Sequence, residues 1–259
     1  MSIEFYFSSR KRDSIAENDE LNKEIVEITI NKFEDESKIL RKQNILMFFD
    51  CMRFSLIQSL GRLIIKDTPP YKPFVNKYAF LEFNIHEFSV YQFIIYLSRK
   101  IRESNDKIFK VLTIAHELQH VIQFIKFKDV YLQTGVLRGY LQVEKKFTNE
   151  LYRNTPTEVD AFRKSKIIAI KIFGKEKINY FIKKEVEDAQ NENDKSYWIN
   201  IKSLDSDKSY NLKNETQKYW DKYENEISHK KDELERKKEH CRLKIAEEYF
   251  LEACEFSFK

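Results

Sequence analysis

Glycine and proline are scarce in this chain, with four of each among 259 residues. The many tight turns of an all-β protein depend on these two residue types, so their scarcity argues against such a fold and favours long helices. The apolar fraction of 42% is sufficient for a buried core. We therefore expect an α+β protein that is mainly helical, with a small sheet.

Cysteine is also rare, and the three present are Cys51, Cys241 and Cys254. Their number is odd and none forms a C-x-x-C pair, which argues against a disulfide framework and favours a reducing compartment. The N-terminal stretch "MSIEFYFSSRKRDS" lacks an apolar core long enough for a signal peptide. We expect a cytoplasmic protein, while export by a specialised injection machine stays open.

The chain has little excess charge of either sign, with 46 basic and 42 acidic residues and a formal net charge of +4. This balance gives no reason to expect nucleic acid or an anionic membrane as a partner. The most hydrophobic stretch, 45–65, is long enough to span a bilayer, but it carries Asp50, Arg53, Gln58 and Arg62. Because these polar residues recur as on one side of a helix, we expect a core helix and no membrane span.

Hydrophobic periodicity predicts the order of the elements along the chain. It predicts strands at 23–33, 78–85 and 89–101, and helices at 37–65, 107–127, 137–151, from "NTPTEVDAF" to about 173, and from there to about 189. The segment 89–101 also fits a helix, and 187–215 is polar and aperiodic, as expected of a linker. We accordingly predict a domain at 1–200 and a helical extension at 201–259, ending in a long charged helix.

One motif carries chemistry: "TIAHELQHVIQF" (113–124) contains His116, Glu117 and His120. Residues four apart lie on one face of a helix, so both imidazoles can bind one metal ion at about 2.0–2.1 Å. Glu117 lies about 100° round the helix, where it can reach a metal-bound water without binding the metal. The apolar residues around the motif predict a buried helix, and buried histidines need partners, which a metal provides.

A catalytic zinc site needs a third protein ligand. The pattern H-E-x-x-H-x-x-G-x-x-H is absent, because Gln123 and Lys126 stand at its last two positions. The main candidate is Glu158 in "TPTEVDAF". The same glutamate completes a capping box with Thr155, a role that would turn its carboxylate away from a metal. Asp160 is an alternative ligand, but it lies about 200° round the helix from Glu158, so both cannot bind directly.

The strings "HELQHVIQ" and "PTEVDA" resemble the zincin metallopeptidases of the gluzincin type. They are similar to compact bacterial and phage zincin domains, including those attached to contractile injection systems, and the resemblance lies within 75–190. It implies one Zn²⁺ per chain held by His116, His120 and Glu158, with Glu117 as the catalytic acid/base. It also implies a small sheet beside the motif helix and a peptide or protein as substrate.

The sequence departs from the gluzincin pattern at one position. That pattern is Glu-x-x-x-Asp, in which the aspartate supports a zinc-binding histidine, whereas Phe162 stands four residues after Glu158. The supporting role then passes to Asp160 or is absent.

Peptide hydrolysis also needs a donor for the developing oxyanion. Tyr152, Tyr140, Tyr131 and His86 are candidates, and the sequence does not choose among them. If 78–98 forms a strand pair before the motif helix, its edge is suited to hold an extended substrate by strand addition, by analogy with zincins.

Other functions stay open beside the peptidase: a helical interaction protein with a structural metal or none, and a zincin fold without activity, which the intact Glu117 argues against. The C-terminal stretch 215–259 supports an interaction role, through helix-mediated association with a partner or with itself. Its apolar residues fall near heptad spacing: Trp220, Tyr223, Ile227, Leu234, Cys241, Ile245 and Tyr249. Its middle is charged on every side, so we expect 215–259 to be dispensable for zinc binding.

Overall fold

The computed structural model describes residues 3–7, 14–49, 79–83, 93–131, 133–134, 137, 153–206 and 208–228. Its strands are β1 (Ile3–Phe7), β2 (Ile45–Phe49), β3 (Ala79–Phe83) and β4 (Phe93–Leu97). Its helices are α1 (Ser14–Asn31), α2 (Asp35–Arg41), α3 (Arg99–Glu103), α4 (Lys107–Lys126), α5 (Pro156–Phe173), α6 (Lys175–Glu187), α7 (Glu192–Ser203) and α8 (Leu212–Ser228). Described residues up to Tyr219 belong to one compact unit, which holds the sheet and α4; 220–228 belong to another.

The sheet has the strand order β1-β2-β4-β3. Strands β1, β2 and β4 are parallel, and β3 runs antiparallel to β4 at the edge. Alternate side chains of a strand face the same side. Ile45, Met47 and Phe49 are all fully buried in β2, and Ile95 beside them in β4 is buried too. One face of the sheet therefore supplies the hydrophobic core against which the helices pack.

The motif helix α4 is buried from Ile108 to Gln123. It begins where the sequence predicts, because the Asp106 carboxylate accepts hydrogen bonds from the backbone N–H groups of Ile108 (2.8 Å) and Phe109 (3.0 Å). The helix packs most extensively against α5 and also contacts α1, α2 and β3. A helix buried this completely holds its polar side chains in fixed positions.

Several predicted elements are confirmed. Strand β3 lies within 78–85, β4 within 89–101, and α4, α5 and α6 match the three predicted helices around and after the motif. Gly174 ends α5 with a φ of 88°, a conformation that a residue with a side chain rarely adopts. The coarse expectation of a mainly helical α+β fold with a small sheet is thus confirmed for the described residues.

The predicted strand at 23–33 is wrong, since these residues belong mainly to α1. The buried residues follow a helical period rather than alternation: Ile25, Val26, Thr29, Ile30 and Phe33. Ile28, which the strand pattern grouped with Val26 and Ile30, is instead 36% exposed. Short runs of Ile, Val and Thr fit both periods, and packing against α4 decides in favour of the helix.

The predicted helix at 37–65 is confirmed at 37–41, which lie in α2, and is wrong at 45–49, which form the central strand β2. The polar residues that indicated a helical period, beginning with Asp50, all lie beyond Phe49. The five residues "ILMFF" are apolar throughout and carry no period of their own, as is typical of a strand buried in a parallel sheet.

The predicted linker at 187–215 is also wrong, because it contains helix α7. The Asn191 side chain caps this helix by accepting from the backbone N–H of Asp194 at 2.9 Å. Trp198 and Ile201 are buried, and the Trp198 ring packs against Phe181 of α6 at 5.6 Å. Whether 1–200 folds without 201–259 stays a prediction.

Some predictions fall outside the described residues. These are the helix at 50–65, the proline-rich break at 67–73, the helix at 138–151 and the tail at 229–259. Within 215–259, helix is described as far as Ser228. No described helix is both long and apolar enough to cross a membrane.

Candidate metal centre

Three side chains from two packed helices converge at one point: His116 and His120 of α4, and Glu158 of α5. The Nε2 atoms of the two histidines lie 3.1 Å apart. Glu158 Oε2 lies 3.2 Å from His116 Nε2, and Oε1 lies 3.4 Å from His120 Nε2. All three residues are buried. The three residues predicted as ligands are therefore brought together by the fold.

The spacing of these atoms fits a tetrahedral ion. Zinc binds imidazole nitrogen and carboxylate oxygen at about 2.0–2.1 Å, so two ligand atoms at tetrahedral positions lie about 3.3–3.4 Å apart. The Nε2–Nε2 separation of 3.1 Å is close to this value, and each Nε2 atom has one oxygen of the Glu158 carboxylate at 3.2 or 3.4 Å. Imidazole nitrogens and carboxylate oxygens bring lone pairs that repel one another unless a cation or proton lies between them. The donor set therefore suits a divalent metal ion.

The start of α5 positions Glu158. Pro156 occupies the first turn, and Thr155 precedes the helix but forms no side-chain cap. The Thr155 half of the capping box is therefore not formed. The glutamate carboxylate faces the two histidines, as the ligand role requires.

His120 is oriented by a hydrogen-bonded glutamine. Its Nδ1 lies 2.8 Å from Oε1 of Gln123, one turn further along α4. The Gln123 amide nitrogen donates to the carbonyl oxygen of Thr157 and to Oδ2 of Asp160, each at 2.8 Å. These contacts join the two helices that carry the candidate ligands.

Asp160 lies outside the three-residue cluster. Its Oδ2 atom accepts hydrogen bonds from Gln119 at 2.7 Å and from Gln123 at 2.8 Å. The alternative in which Asp160 binds the metal directly is therefore not favoured by the geometry. The carboxylate instead supports His120 through Gln123, which replaces the direct aspartate–histidine contact of the gluzincin pattern.

His116 is held differently. The ring of Phe162 lies 4.5 Å from its ring, centroid to centroid, and Tyr197 of α7 packs against Phe162 in turn at 5.4 Å. The Nδ1 atom of His116 is buried and has no hydrogen-bond partner among the described residues. One histidine is thus fixed by hydrogen bonds and the other by aromatic packing.

The carboxylates around His120 change its basicity. Burial alone lowers the pKa of this imidazole, but the charge and hydrogen bond of Glu158, the charge of Glu117 and the hydrogen bond to Gln123 outweigh it, so the pKa is raised. Glu117 is itself buried and is not part of the three-residue cluster. Its charge acts on His120, so Glu117 lies near the three candidate ligands without being one of them.

Among the candidates for the oxyanion donor, only Tyr131 lies in the described part of the chain. Its ring is edge-on to His120, with 6.1 Å between centroids. Tyr152, Tyr140 and His86 fall outside the described residues, so the choice of donor stays open.

The ligand-bearing helix α5 is fixed from its other side by residues after α7. Arg163 donates to the carbonyl oxygens of Asp205 and Lys208, and its guanidinium lies over the Tyr210 ring. Burial and the charge of Asp160 raise the pKa of Tyr210, whose hydroxyl donates to the Pro156 carbonyl at 3.1 Å. The segment around 205–210 therefore stabilises the turn from which Glu158 projects.

The contacts of Gln119 and Gln123 with Asp160 were not predicted from the sequence. A usable signal was present, because Gln123 is three residues after His120 and so lies on the same face of the helix. That it would meet Asp160 depends on how α4 and α5 pack, which no local pattern contains.

Comparison with known proteins adds no assignment: no protein-family model, curated protein or solved structure matches this chain.

Proposed function

We propose that this protein is a zinc-dependent peptidase of zincin type. The observation that carries the proposal is the buried convergence of His116, His120 and Glu158, whose ligand atoms lie close enough to one another to hold one metal ion. Structural zinc sites are normally closed by four protein ligands, whereas catalytic sites use three and keep one position open. The described residues supply three ligands to this group, which favours the catalytic type.

A bound zinc ion supplies Lewis acidity and lowers the pKa of water to about 7. Glu117 then acts as the general base that takes the proton from the attacking water, and afterwards gives it to the leaving amine. It is suited to this because it neighbours His116 in the chain but lies outside the ligand group. Gln123 and Asp160 hold His120 in place, and Phe162 holds His116.

The sheet offers a place for an extended peptide. Strand β3 lies at its edge, pairs with β4 on one side, and contacts the motif helix α4. Within the described residues its other side has no strand partner. A substrate strand that adds to this edge gains backbone hydrogen bonds and lies beside the helix that carries the ligands. The proposed substrate is therefore a peptide or an unfolded segment of a protein.

The test is hydrolysis of a mixed peptide library by the zinc-loaded full chain, with cleavage read by mass spectrometry. We expect cleavage by the wild type and none by Glu117→Gln, because an amide cannot accept the proton of water. The variant should keep zinc and its circular dichroism spectrum. Cleavage by Glu117→Gln at the wild-type rate would overturn this mechanism, and zinc binding without cleavage of any peptide would favour a structural metal.

A further inference from the structure

The contacts of Gln123 favour a proton on Nδ1 of His120, in competition with the Glu158 carboxylate oxygen that lies 3.4 Å from Nε2. An amide nitrogen only donates, and the Gln123 nitrogen has two acceptors, the Thr157 carbonyl and Asp160 Oδ2. The amide oxygen must therefore face His120 Nδ1, from which it lies 2.8 Å. An amide oxygen only accepts, so Nδ1 carries a hydrogen.

The proton on Nδ1 of His120 affects the candidate metal centre through the other ring nitrogen, Nε2. When the neutral ring has its proton on Nδ1, Nε2 is left with a free lone pair. That Nε2 atom is the one that faces His116 and Glu158. In the opposite tautomer a hydrogen would occupy the space of the metal, and Nδ1 and the Gln123 oxygen would meet as two acceptors.

We propose that Gln123 and Asp160 are positioning residues that set the tautomer of His120 and thereby prepare Nε2 to bind metal. This rests on the proposed metal site, but the tautomer itself is a property of the metal-free protein. Asp160 acts indirectly. It accepts a hydrogen bond from the Gln123 amide nitrogen and is not one of the three candidate ligands. The Thr157 carbonyl is the second acceptor that holds the same amide.

Gln119 provides a matched control. It has the same side chain, lies on the same helix and donates to the same Asp160 oxygen at 2.7 Å, but it forms no hydrogen bond with either histidine. Substitution of Gln119 weakens the contact between α4 and α5 without touching the tautomer. A difference between Gln123→Leu and Gln119→Leu therefore separates positioning from general stability.

The experiment is ¹⁵N NMR of the histidine rings in the zinc-free full chain, recorded at a pH high enough that the ring nitrogen shifts of His120 no longer change. We expect the Nδ1–H form of His120 in the wild type and in Gln119→Leu, and its loss in Gln123→Leu. Asp160→Asn keeps an acceptor oxygen and should keep the tautomer, whereas Asp160→Ala should give a mixture. The Nε2–H form in the wild type, or an unchanged tautomer in Gln123→Leu, would overturn the proposal.

Zinc affinity, measured by competition with a chromogenic chelator, gives the second readout. Loss of a residue that orients a ligand typically weakens metal binding by about 10–100-fold. We expect a loss of this size for Gln123→Leu, a smaller loss for Asp160→Ala, and affinities near wild type for Asp160→Asn and Gln119→Leu. If the tautomers follow the expected order but the wild type binds no zinc, the proposed function fails and only the assignment of the tautomer to Gln123 and Asp160 stands.

Discussion

Phe162 packs its ring against that of His116, with 4.5 Å between the centroids and 47° between the ring planes. It stands where the gluzincin pattern places an aspartate that would hydrogen-bond to a metal-binding histidine. One ligand of the candidate centre is therefore held by apolar contact, and the other by the amide of Gln123. The two histidines should respond differently to substitutions around them.

Phe162→Ala should weaken zinc binding because His116 loses the ring that restricts its rotation. It should also lower the free energy of unfolding by about 3–5 kcal/mol, as is usual for a buried phenylalanine. Phe162→Leu keeps an apolar contact and serves as the control. Zinc competition and thermal unfolding in the presence of a chelator separate the two effects. Zinc affinity of Phe162→Ala equal to that of the wild type would show that the ring does not position His116.

Glu158→Gln should weaken zinc binding more than the about 10–100-fold expected for residues that only orient a ligand. The substitution removes a charged ligand atom but keeps a side chain that is tolerated at a helix start. Asp160→Asn is the matched control, since it makes the same chemical change two residues away, outside the cluster. If the two variants bind zinc equally well, Glu158 is not the third ligand.

Lys110 should make stability depend on pH. It is fully buried in α4, where its ammonium donates to the side-chain oxygen of Asn22 and to the Arg102 carbonyl, and burial, opposed by the charge of Asp19, lowers its pKa to about 8. Between this value and the unfolded pKa of about 10.4, the unfolded chain binds more protons. Stability should therefore rise with pH in that window, by at most about 1.4 kcal/mol per pH unit.

Urea unfolding from pH 7 to pH 10 measures this contribution. Lys110→Met should remove the rise, while Lys107→Met, which changes an exposed lysine of the same helix, should keep it. An identical pH slope in the wild type and Lys110→Met would mean that the buried lysine does not change its protonation on folding.

A chain ending at residue 200 should be much less stable than one ending at 219. The shorter chain loses the carbonyl oxygens of Ile201 and Leu204 that accept from buried Lys166, and that of Asp205 which accepts from Arg163. A buried cation without its partners costs several kcal/mol. Thermal unfolding and zinc content of the two chains provide the comparison. Equal stability would support the predicted domain division near residue 200.

The sequence predicted the structure best where a local pattern is compatible with only one backbone conformation. The cap at Asp106 and the turn at Gly174 are local chemistry, and the spacing of His116 and His120 follows from the helical period alone. Prediction failed for 23–33, where Ile, Val and Thr fit a strand as well as a helix. It also failed for 45–49. This apolar run forms a strand because it pairs in parallel with β1 and β4, which lie far from it in the sequence.

The candidate site likewise combines features that a local pattern predicts with features that depend on packing. Glu158 could be proposed from its acidic side chain near a helix start, but its approach to His116 and His120 depends on how α4 and α5 pack. The links from Gln119 and Gln123 to Asp160 cross between helices about 40 positions apart in sequence and depend on packing. Local periodicity contains no information about such contacts.

The zinc content of the full chain, purified without added zinc, tests the central claim most directly. The account predicts about one zinc ion per chain in the wild type and almost none in His116→Ala, because two remaining ligands bind weakly. His240→Ala removes a histidine outside the motif and should keep the metal. A wild-type protein that takes up no zinc even when it is supplied, or a His116→Ala variant that holds as much as the wild type, would contradict the account.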